Sequence, residues 1–127
     1  MNPVRRLPRA PETTLHEVGI MQEAVRLAVE KAKASGANRV HALRLRVGAL
    51  SGVVPDALHF AFDLLCRGTM AEGATLEVES VPARCWCATC EAEFEVEDFF
   101  SECPRCHVLS NVWRGGRELE IASVEIS

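Results

Sequence analysis

The chain has 127 residues, of which 48% are hydrophobic and 25% charged, and its formal net charge is −4. This composition is ordinary for a soluble globular protein, and the small acidic excess gives no general reason to bind nucleic acid or an anionic membrane. No apolar run approaches the ~18 residues of a membrane span, so we expect no transmembrane helix. We expect a cytoplasmic protein, in which the six cysteines are metal ligands or free thiols rather than disulfides.

The first 14 residues contain three arginines and three prolines but no apolar segment of the kind found in signal peptides. Because proline interrupts regular hydrogen bonding, we predict a flexible tail over 1–14. Helical periodicity follows it and predicts a first helix that ends near Gly36. The apolar stripe of this helix consists of Val18, Met21, Val25, Ala28, Val29 and Ala32.

Two strands and a second helix come next. Leu43, Leu45 and Val47 alternate with arginines, which predicts a half-buried strand, and His41 shares their parity and is expected to be half-buried too. Pro55 suits the first turn of the second helix. The alternating run at 74–81 then predicts another strand.

The last strand changes phase along its length. Leu119 and Ile121 are odd-numbered, whereas Val124 and Ile126 are even-numbered. A bulge or bend near residues 122–123 would let both halves face the same core. We expect this strand to rejoin the first sheet, so that the cysteine-rich segment before it is an insertion.

The order of elements predicts an α+β fold. A small αβαβ domain, formed by 15–81 plus 117–127, should combine two helices with a mixed or antiparallel three-stranded sheet. A zinc ribbon over 82–116 should interrupt this domain before the chain returns to the sheet.

Two C-x-x-C pairs carry the strongest chemical signal. Cys87 and Cys90 form the first pair, Cys103 and Cys106 form the second, and twelve residues separate the pairs. This spacing is typical of four thiolates around one tetrahedral zinc ion, although iron also binds four thiolates. Such a closed site is structural, because catalysis needs an open coordination position.

Two neighbours of these pairs leave an alternative open. Cys85 or His107 could replace one of the four cysteines as a metal ligand. The preferred interpretations are a spare thiol for Cys85 and a solvent-facing imidazole for His107. Between them the chain has six acidic residues and one basic residue, Arg105. A surface this acidic repels phosphate, which argues against nucleic-acid binding by the ribbon.

Other catalytic signatures are missing or weak. No glycine is followed by lysine, so the chain has no P-loop with which to hydrolyse a nucleotide. Cys66 lacks a neighbouring base and is expected to be a buried, inert thiol. For His16 and Glu17 spacing alone favours a structural role, because Thr14 and Glu17 fit a capping box at the start of the first helix.

The chain resembles the HypA/HybF family of hydrogenase-maturation nickel metallochaperones over essentially 15–127. The matching pieces occur in order and at the spacing of the family. They are "HE" at the start of the first helix, "RLRVGALSGVVPDALHFAFDLLCRGT", "AEGATLEV", "CWCATC", "CPRC" and "GRELEIASVEI".

The resemblance implies a binding protein rather than an enzyme. It implies that His16 binds Ni(II) through its imidazole, that Glu17 contributes a backbone nitrogen or a carboxylate behind it, and that Asp56 lies near this site. Zinc would occupy the four cysteines. The implied partners are a HypB-type GTPase, the large-subunit precursor of a nickel-iron hydrogenase and urease maturation proteins, with the chain a monomer or homodimer.

One departure from the family concerns the residue before His16. The family has its initiator methionine there and uses the terminal amine as a nickel ligand, whereas this chain has Leu15 preceded by 14 residues. We hypothesise that translation starts at Leu15, which would restore Met-His-Glu. Two alternative functions belong to other classes of protein. One is a zinc-ribbon adaptor or nucleic-acid-binding regulator, and the other is a thiol redox protein that uses Cys85, Cys87 and Cys90.

Overall fold

The computed structural model describes residues 5–6, 16–96 and 101–127. It contains two helices and two small sheets. The elements are β1 (Arg5–Arg6), α1 (His16–Ala34), β2 (Val40–Gly48), α2 (Pro55–Cys66), β3 (Thr75–Val81), β4 (Arg84–Cys87), β5 (Ala92–Glu95), β6 (Trp113–Gly115) and β7 (Leu119–Ile126). The predicted α+β class is confirmed, and neither helix combines the length and apolarity needed to cross a bilayer.

The larger sheet is mixed, as the sequence predicts. Its strand order is β1-β7-β2-β3, with β2 parallel to β3 and antiparallel to β7. The last strand therefore returns beside the first long strand, after the segment that contains the cysteines. A fourth, two-residue strand was not predicted: Arg5–Arg6 lie within the expected flexible tail, yet they pair with β7. The rest of 1–14 lies outside the described residues.

Both helices and the inner face of the sheet share one apolar core. Leu43, Leu45 and Leu58 are completely buried, as their periodicity predicts. Two expectations were wrong. Val18 is exposed on the outer side of α1, and His41 is exposed, with its Nε2 2.6 Å from the hydroxyl of Ser127. His41 lies at an irregularity in the pairing of β2 with β7 between Val40 and Ala42, so that Val40 is buried in its place. In the first turn of α1 the buried residues are Glu17 and Ile20, on either side of Val18.

The change of phase in the last strand is resolved by a bulge. Arg44 of β2 lies opposite Ser123, whereas the next residue, Leu45, lies opposite Ile121. Ala122 is therefore the additional residue in β7. Because one extra residue reverses the side-chain alternation, both halves of the strand can face the core. The predicted bend near 122–123 is confirmed.

The inserted segment forms its own three-stranded antiparallel sheet, in the order β5-β4-β6. Among the described residues, its apolar cluster consists of the buried Ala83, Cys85 and Val96, against which Leu50, Phe94 and Trp113 pack. Leu50 belongs to the loop after β2, so the larger domain supplies part of the apolar contact.

The end of β2 joins the two sheets. The amide of Gly48 donates to the carbonyl of Glu118 (2.7 Å), and the amide of Leu50 donates to the carbonyl of Gly116 (2.6 Å). A Cβ on Gly48 would lie 2.2 Å from the carbonyl carbon of Gly116. The two chain segments can approach this closely only because residue 48 has no Cβ. A Cβ on Gly116 would instead lie 2.6 Å from the Cα of Ala83.

Candidate metal centres

The four predicted cysteines come together at one end of the ribbon. Their sulfur atoms all lie within 4.8 Å of one another. The Sγ atoms of Cys87 and Cys106 are 3.4 Å apart, and those of Cys90 and Cys103 are 3.9 Å apart. Four sulfurs around a zinc ion with bonds of ~2.3 Å would be ~3.8 Å apart, so the donor set and its spacing fit a tetrahedral ion.

Each C-x-x-C pair forms a tight turn. The residue after the second cysteine takes a left-handed conformation in both turns, with φ of 51° at Glu91 and 62° at His107. This conformation is uncommon for residues other than glycine, and its recurrence shows that the two turns are built alike. Within the first turn the amide of Cys90 donates to the sulfur of Cys87 at 3.4 Å.

Backbone donors favour the metal-binding form of Cys103. The amides of Cys106 and Arg105 lower the pKa of the Cys103 thiol to about 6, because they donate to its thiolate. In contrast, hydrogen bonding to the sulfur of Cys106 raises the pKa of Cys90 to about 12. A divalent cation would remove this difference, since metal ligation replaces the proton on each thiol.

Cys85 and His107 do not join this group of sulfurs. Within the described residues, the group that could hold a metal contains neither of them. Cys85 is completely buried in the small core, and burial raises the pKa of its thiol. The imidazole of His107 is 71% exposed and lies 3.8 Å from the carboxylate of Glu102. These positions agree with the preferred interpretations, a spare thiol and a solvent-facing imidazole.

Cys66 is also a buried thiol outside the cysteine group. It lies in the core at the end of α2, and burial, with a smaller contribution from the charge of Asp63, raises the pKa of its thiol to about 11. A thiol that remains protonated at neutral pH is a poor nucleophile. The prediction of an inert cysteine agrees with this environment.

His16 and Glu17 are the first two residues of α1, and they meet the start of α2. Glu17 is buried, with 6% of the residue exposed, and its Oε2 accepts a hydrogen bond from the amide of Val54 at 3.1 Å. Val54 is the N-cap residue of α2 and has no side-chain cap of its own. Glu17 therefore performs for α2 the role that a capping-box glutamate performs within one helix. Thr14, the other member of the predicted box, lies outside the described residues.

The imidazole of His16 has an unused nitrogen. Its Nε2 is buried and makes no hydrogen bond with the described residues, although it lies 3.1 Å from Oε2 of Glu17. A buried polar atom without a hydrogen bond is costly, so a ligand at this nitrogen would remove the cost. The amides of the first helical turn likewise have no acceptor within the helix. The start of α1 thus combines an imidazole with backbone nitrogens that are free of helical hydrogen bonds.

Asp56 lies in the first turn of α2, two residues after Val54, and is exposed. The contact between Glu17 and Val54 brings this turn to the start of α1. Sequence spacing could not reveal the role of Val54, because it contributes a backbone amide rather than a side chain. Its position just before Pro55, at the start of a predicted helix, was the only available signal.

The contact between Glu17 and Val54 predicts a stability difference between two variants. Glu17→Ala removes the acceptor of the Val54 amide, and we expect the free energy of unfolding to fall by about 1–2 kcal/mol. Glu17→Gln retains an oxygen at the same place and should lose less than about 0.5 kcal/mol. Urea unfolding monitored by helical circular dichroism measures both values. Equal losses in the two variants would contradict the proposed role of the oxygen.

Comparison with known proteins adds a family and several relatives. A family model described as hydrogenase/urease nickel incorporation, metallochaperone, hypA matches residues 15–126. A protein named hydrogenase maturation factor HypA from a Picosynechococcus species is 46% identical over 112 residues, which cover 88% of this chain and 99% of the relative. A protein of the same name from Geobacter metallireducens is 40% identical over 112 residues, with the same coverage of both chains.

Two solved structures have the same fold. One is the solution structure of the Ni metallochaperone HypA from Helicobacter pylori, with a TM-score of 0.59 and 19% identity, covering 87% of this chain and 96% of that one. The other is a solution structure of a HypA protein, with a TM-score of 0.66 and 20% identity, covering 91% and 98%. The α+β fold with an inserted ribbon is therefore shared with both structures.

Proposed function

The chain belongs to the HypA family of hydrogenase/urease nickel-incorporation metallochaperones, and from this membership we propose that it binds Ni(II) and delivers it to the large-subunit precursor of a nickel-iron hydrogenase. The proposed nickel site is the start of α1, with the imidazole of His16 as one ligand. The observation that carries this assignment is the buried Nε2 of His16, which has no hydrogen bond among the described residues.

The donor chemistry at the start of α1 supports nickel. Imidazole and deprotonated amide nitrogens suit the square-planar geometry of Ni(II), and the backbone nitrogen of Glu17 is the proposed second donor. The carboxylate of Glu17, 3.1 Å from Nε2 of His16, would place negative charge beside a cation held at that nitrogen. The proposed role of Asp56 is to provide negative charge beside the cation, from the neighbouring turn of α2.

The two proposed metal sites have different roles. We propose that zinc is held by Cys87, Cys90, Cys103 and Cys106 and stabilises the ribbon, since four thiolates leave no position for exchange. Delivery instead requires a site from which the ion can leave. A site at the end of a helix, with an imidazole that is 19% exposed, suits a cargo ion better than a closed cage does.

The proposed delivery needs partners. The chain has no P-loop, so energy from a nucleotide would come from a separate HypB-type GTPase. The acceptor would be the hydrogenase large-subunit precursor, and urease maturation proteins are a further acceptor class suggested by the family description. The proposed role of the chain is binding and transfer, without a reaction of its own.

Nickel titration of two histidine variants tests the proposed site. We expect His16→Ala to lower the affinity for Ni(II) by about 100-fold or more, since the loss of even an indirect metal contact costs about 10–100-fold. His41→Ala is the matched control, because this histidine is an exposed residue of β2 whose Nε2 lies 2.6 Å from the hydroxyl of Ser127. It should bind nickel within about twofold of the unaltered chain. Isothermal calorimetry of the zinc-loaded chain measures both affinities. Equal nickel binding by the two variants would remove His16 from the site.

A second titration concerns the amine ligand of the family. The 127-residue chain is compared with one that begins at a methionine in place of Leu15. A free amine binds Ni(II) without the loss of an amide proton, so the shorter chain should bind more tightly. Equal affinities would mean that the terminal amine is not a nickel ligand in this protein.

A further inference from the structure

The outer side of α2 has large apolar side chains in water. Phe60 is 70% exposed, Leu64 is 44% exposed, and Val54, just before the helix, is 54% exposed. Phe60 and Leu64 are four residues apart and therefore neighbours on the same face of the helix. Exposed apolar side chains that cluster in this way are characteristic of interaction sites.

Acidic side chains border this apolar row on one side. Asp56 lies four residues before Phe60, and Asp63 lies three residues after it. Both carboxylates are therefore neighbours of Phe60 on the helix surface. Both are exposed, and α2 contains no lysine or arginine. The outer side of the helix thus combines an apolar row with an acidic edge, which is complementary to an amphipathic segment with basic residues.

The start of α2, where Val54 is exposed, lies beside the proposed nickel site. The amide of Val54 donates to the carboxylate of Glu17, which lies 3.1 Å from Nε2 of His16. A protein bound along α2 would therefore reach the start of α1. A second exposed apolar group, Val108, Leu109 and Val112, belongs to the ribbon. It follows the structural cysteines and has no such connection with the cargo site.

We propose that Val54, Phe60 and Leu64, together with the acidic edge formed by Asp56 and Asp63, dock a basic amphipathic segment of the protein that accepts nickel from this chain. The identity of that protein as an acceptor rests on the proposed function, whereas the docking itself needs no metal. The apolar row supplies the buried contact, and the carboxylates fix the orientation and speed the encounter.

Binding of the acceptor to full-length, zinc-loaded variants tests the apolar row. The probe is the purified hydrogenase large-subunit precursor, and calorimetry without nickel measures its affinity. The double variant Phe60→Ser, Leu64→Ser should bind at least about tenfold more weakly. Leu109→Ser is the matched control, because Leu109 has the same exposure of 70%, and it should bind within about twofold.

A charge reversal tests the acidic edge. Asp63→Lys should weaken binding several-fold at low salt and should reduce its dependence on salt. Glu125→Lys is the control, since Glu125 is an exposed carboxylate on β7, away from α2. Asp56 is left unaltered because it adjoins the proposed nickel site. An equal effect of the two reversals would show a general charge effect and would overturn the assignment of the acidic edge.

Other outcomes overturn the docking face as a whole. Unchanged affinity of the Phe60 and Leu64 double variant would do so, as would a failure of the unaltered chain to bind the precursor. If light scattering shows that the same variant turns a dimer of this chain into a monomer, the face is a contact between copies and the acceptor does not dock there. Nickel titration separates this proposal from the proposed function: the double variant should bind nickel normally, and loss of nickel binding by His16→Ala should leave the affinity for the precursor unchanged.

Discussion

Replacing Cys87 with serine is expected to reduce bound zinc from about one ion per chain to less than about 0.1, because a neutral hydroxyl cannot replace a thiolate ligand. The same variant should lose the structure of the ribbon. Structural zinc contributes about 10–16 kcal/mol to the folding of comparable small modules. No other interaction within the described part of the ribbon is of that size.

The small apolar cluster of the ribbon is the reason for expecting this dependence on metal. Among the described residues that cluster has Ala83, Cys85 and Val96 as its buried members, and a module this small needs a metal or another staple besides apolar burial. The larger domain has a separate core, built from both helices and the inner face of β2. We therefore expect the helices of Cys87→Ser to remain folded while the ribbon does not.

Elemental analysis and amide NMR spectra measure these two effects. Elemental analysis also identifies the ion, since an iron site would give iron in place of zinc. Cys85→Ala is the matched control: it removes a buried thiol two residues away, and zinc should remain at about one ion per chain. Loss of zinc in this control would make Cys85 a ligand. Retention of zinc by Cys87→Ser would overturn the assignment of Cys87.

Local patterns in the sequence were sufficient for much of the fold and for the cysteine site. Alternation along β2 and the change of phase in β7 predicted which residues are buried and where the bulge lies, because the pleat of a strand fixes the direction of each side chain. Spacing alone predicted that the four cysteines would meet. In each case the relevant residues lie close together in the chain or follow a known repeat.

The contacts that the sequence did not reveal join distant segments. The hydrogen bond from Val54 to Glu17 spans 37 residues, and the pairing of β1 with β7 spans nearly the whole chain. Leu50 packs against the core of the ribbon although it follows β2. Such contacts depend on how finished elements pack, so no local pattern specifies them. The same reasoning applies to Nε2 of His16, which makes no hydrogen bond among the described residues and lies beside Glu17, the residue that contacts the start of α2.

Gly48→Ala is expected to lower the free energy of unfolding by about 3 kcal/mol, which corresponds to a loss of roughly 10 °C in Tm for a chain of this size. The added Cβ would lie 2.2 Å from the carbonyl carbon of Gly116 and 2.3 Å from its oxygen. Both are backbone atoms, so no side chain can rotate to relieve the overlap. The hydrogen bonds from Gly48 to Glu118 and from Leu50 to Gly116 would have to lengthen as the segments separate.

Gly19→Ala is the matched control for this substitution. Gly19 lies within α1, and a Cβ there would meet nothing within 4 Å, so the helix should become more stable by about 0.5–1 kcal/mol. The Tm measured by calorimetry should therefore fall in Gly48→Ala and rise in Gly19→Ala. Zinc should stay at about one ion per chain in both, because neither glycine adjoins the cysteines. A loss of stability without a loss of zinc would locate the damage at the junction of the two sheets, whereas equal stability of the two variants would mean that the close approach of Gly48 to Gly116 does not exist.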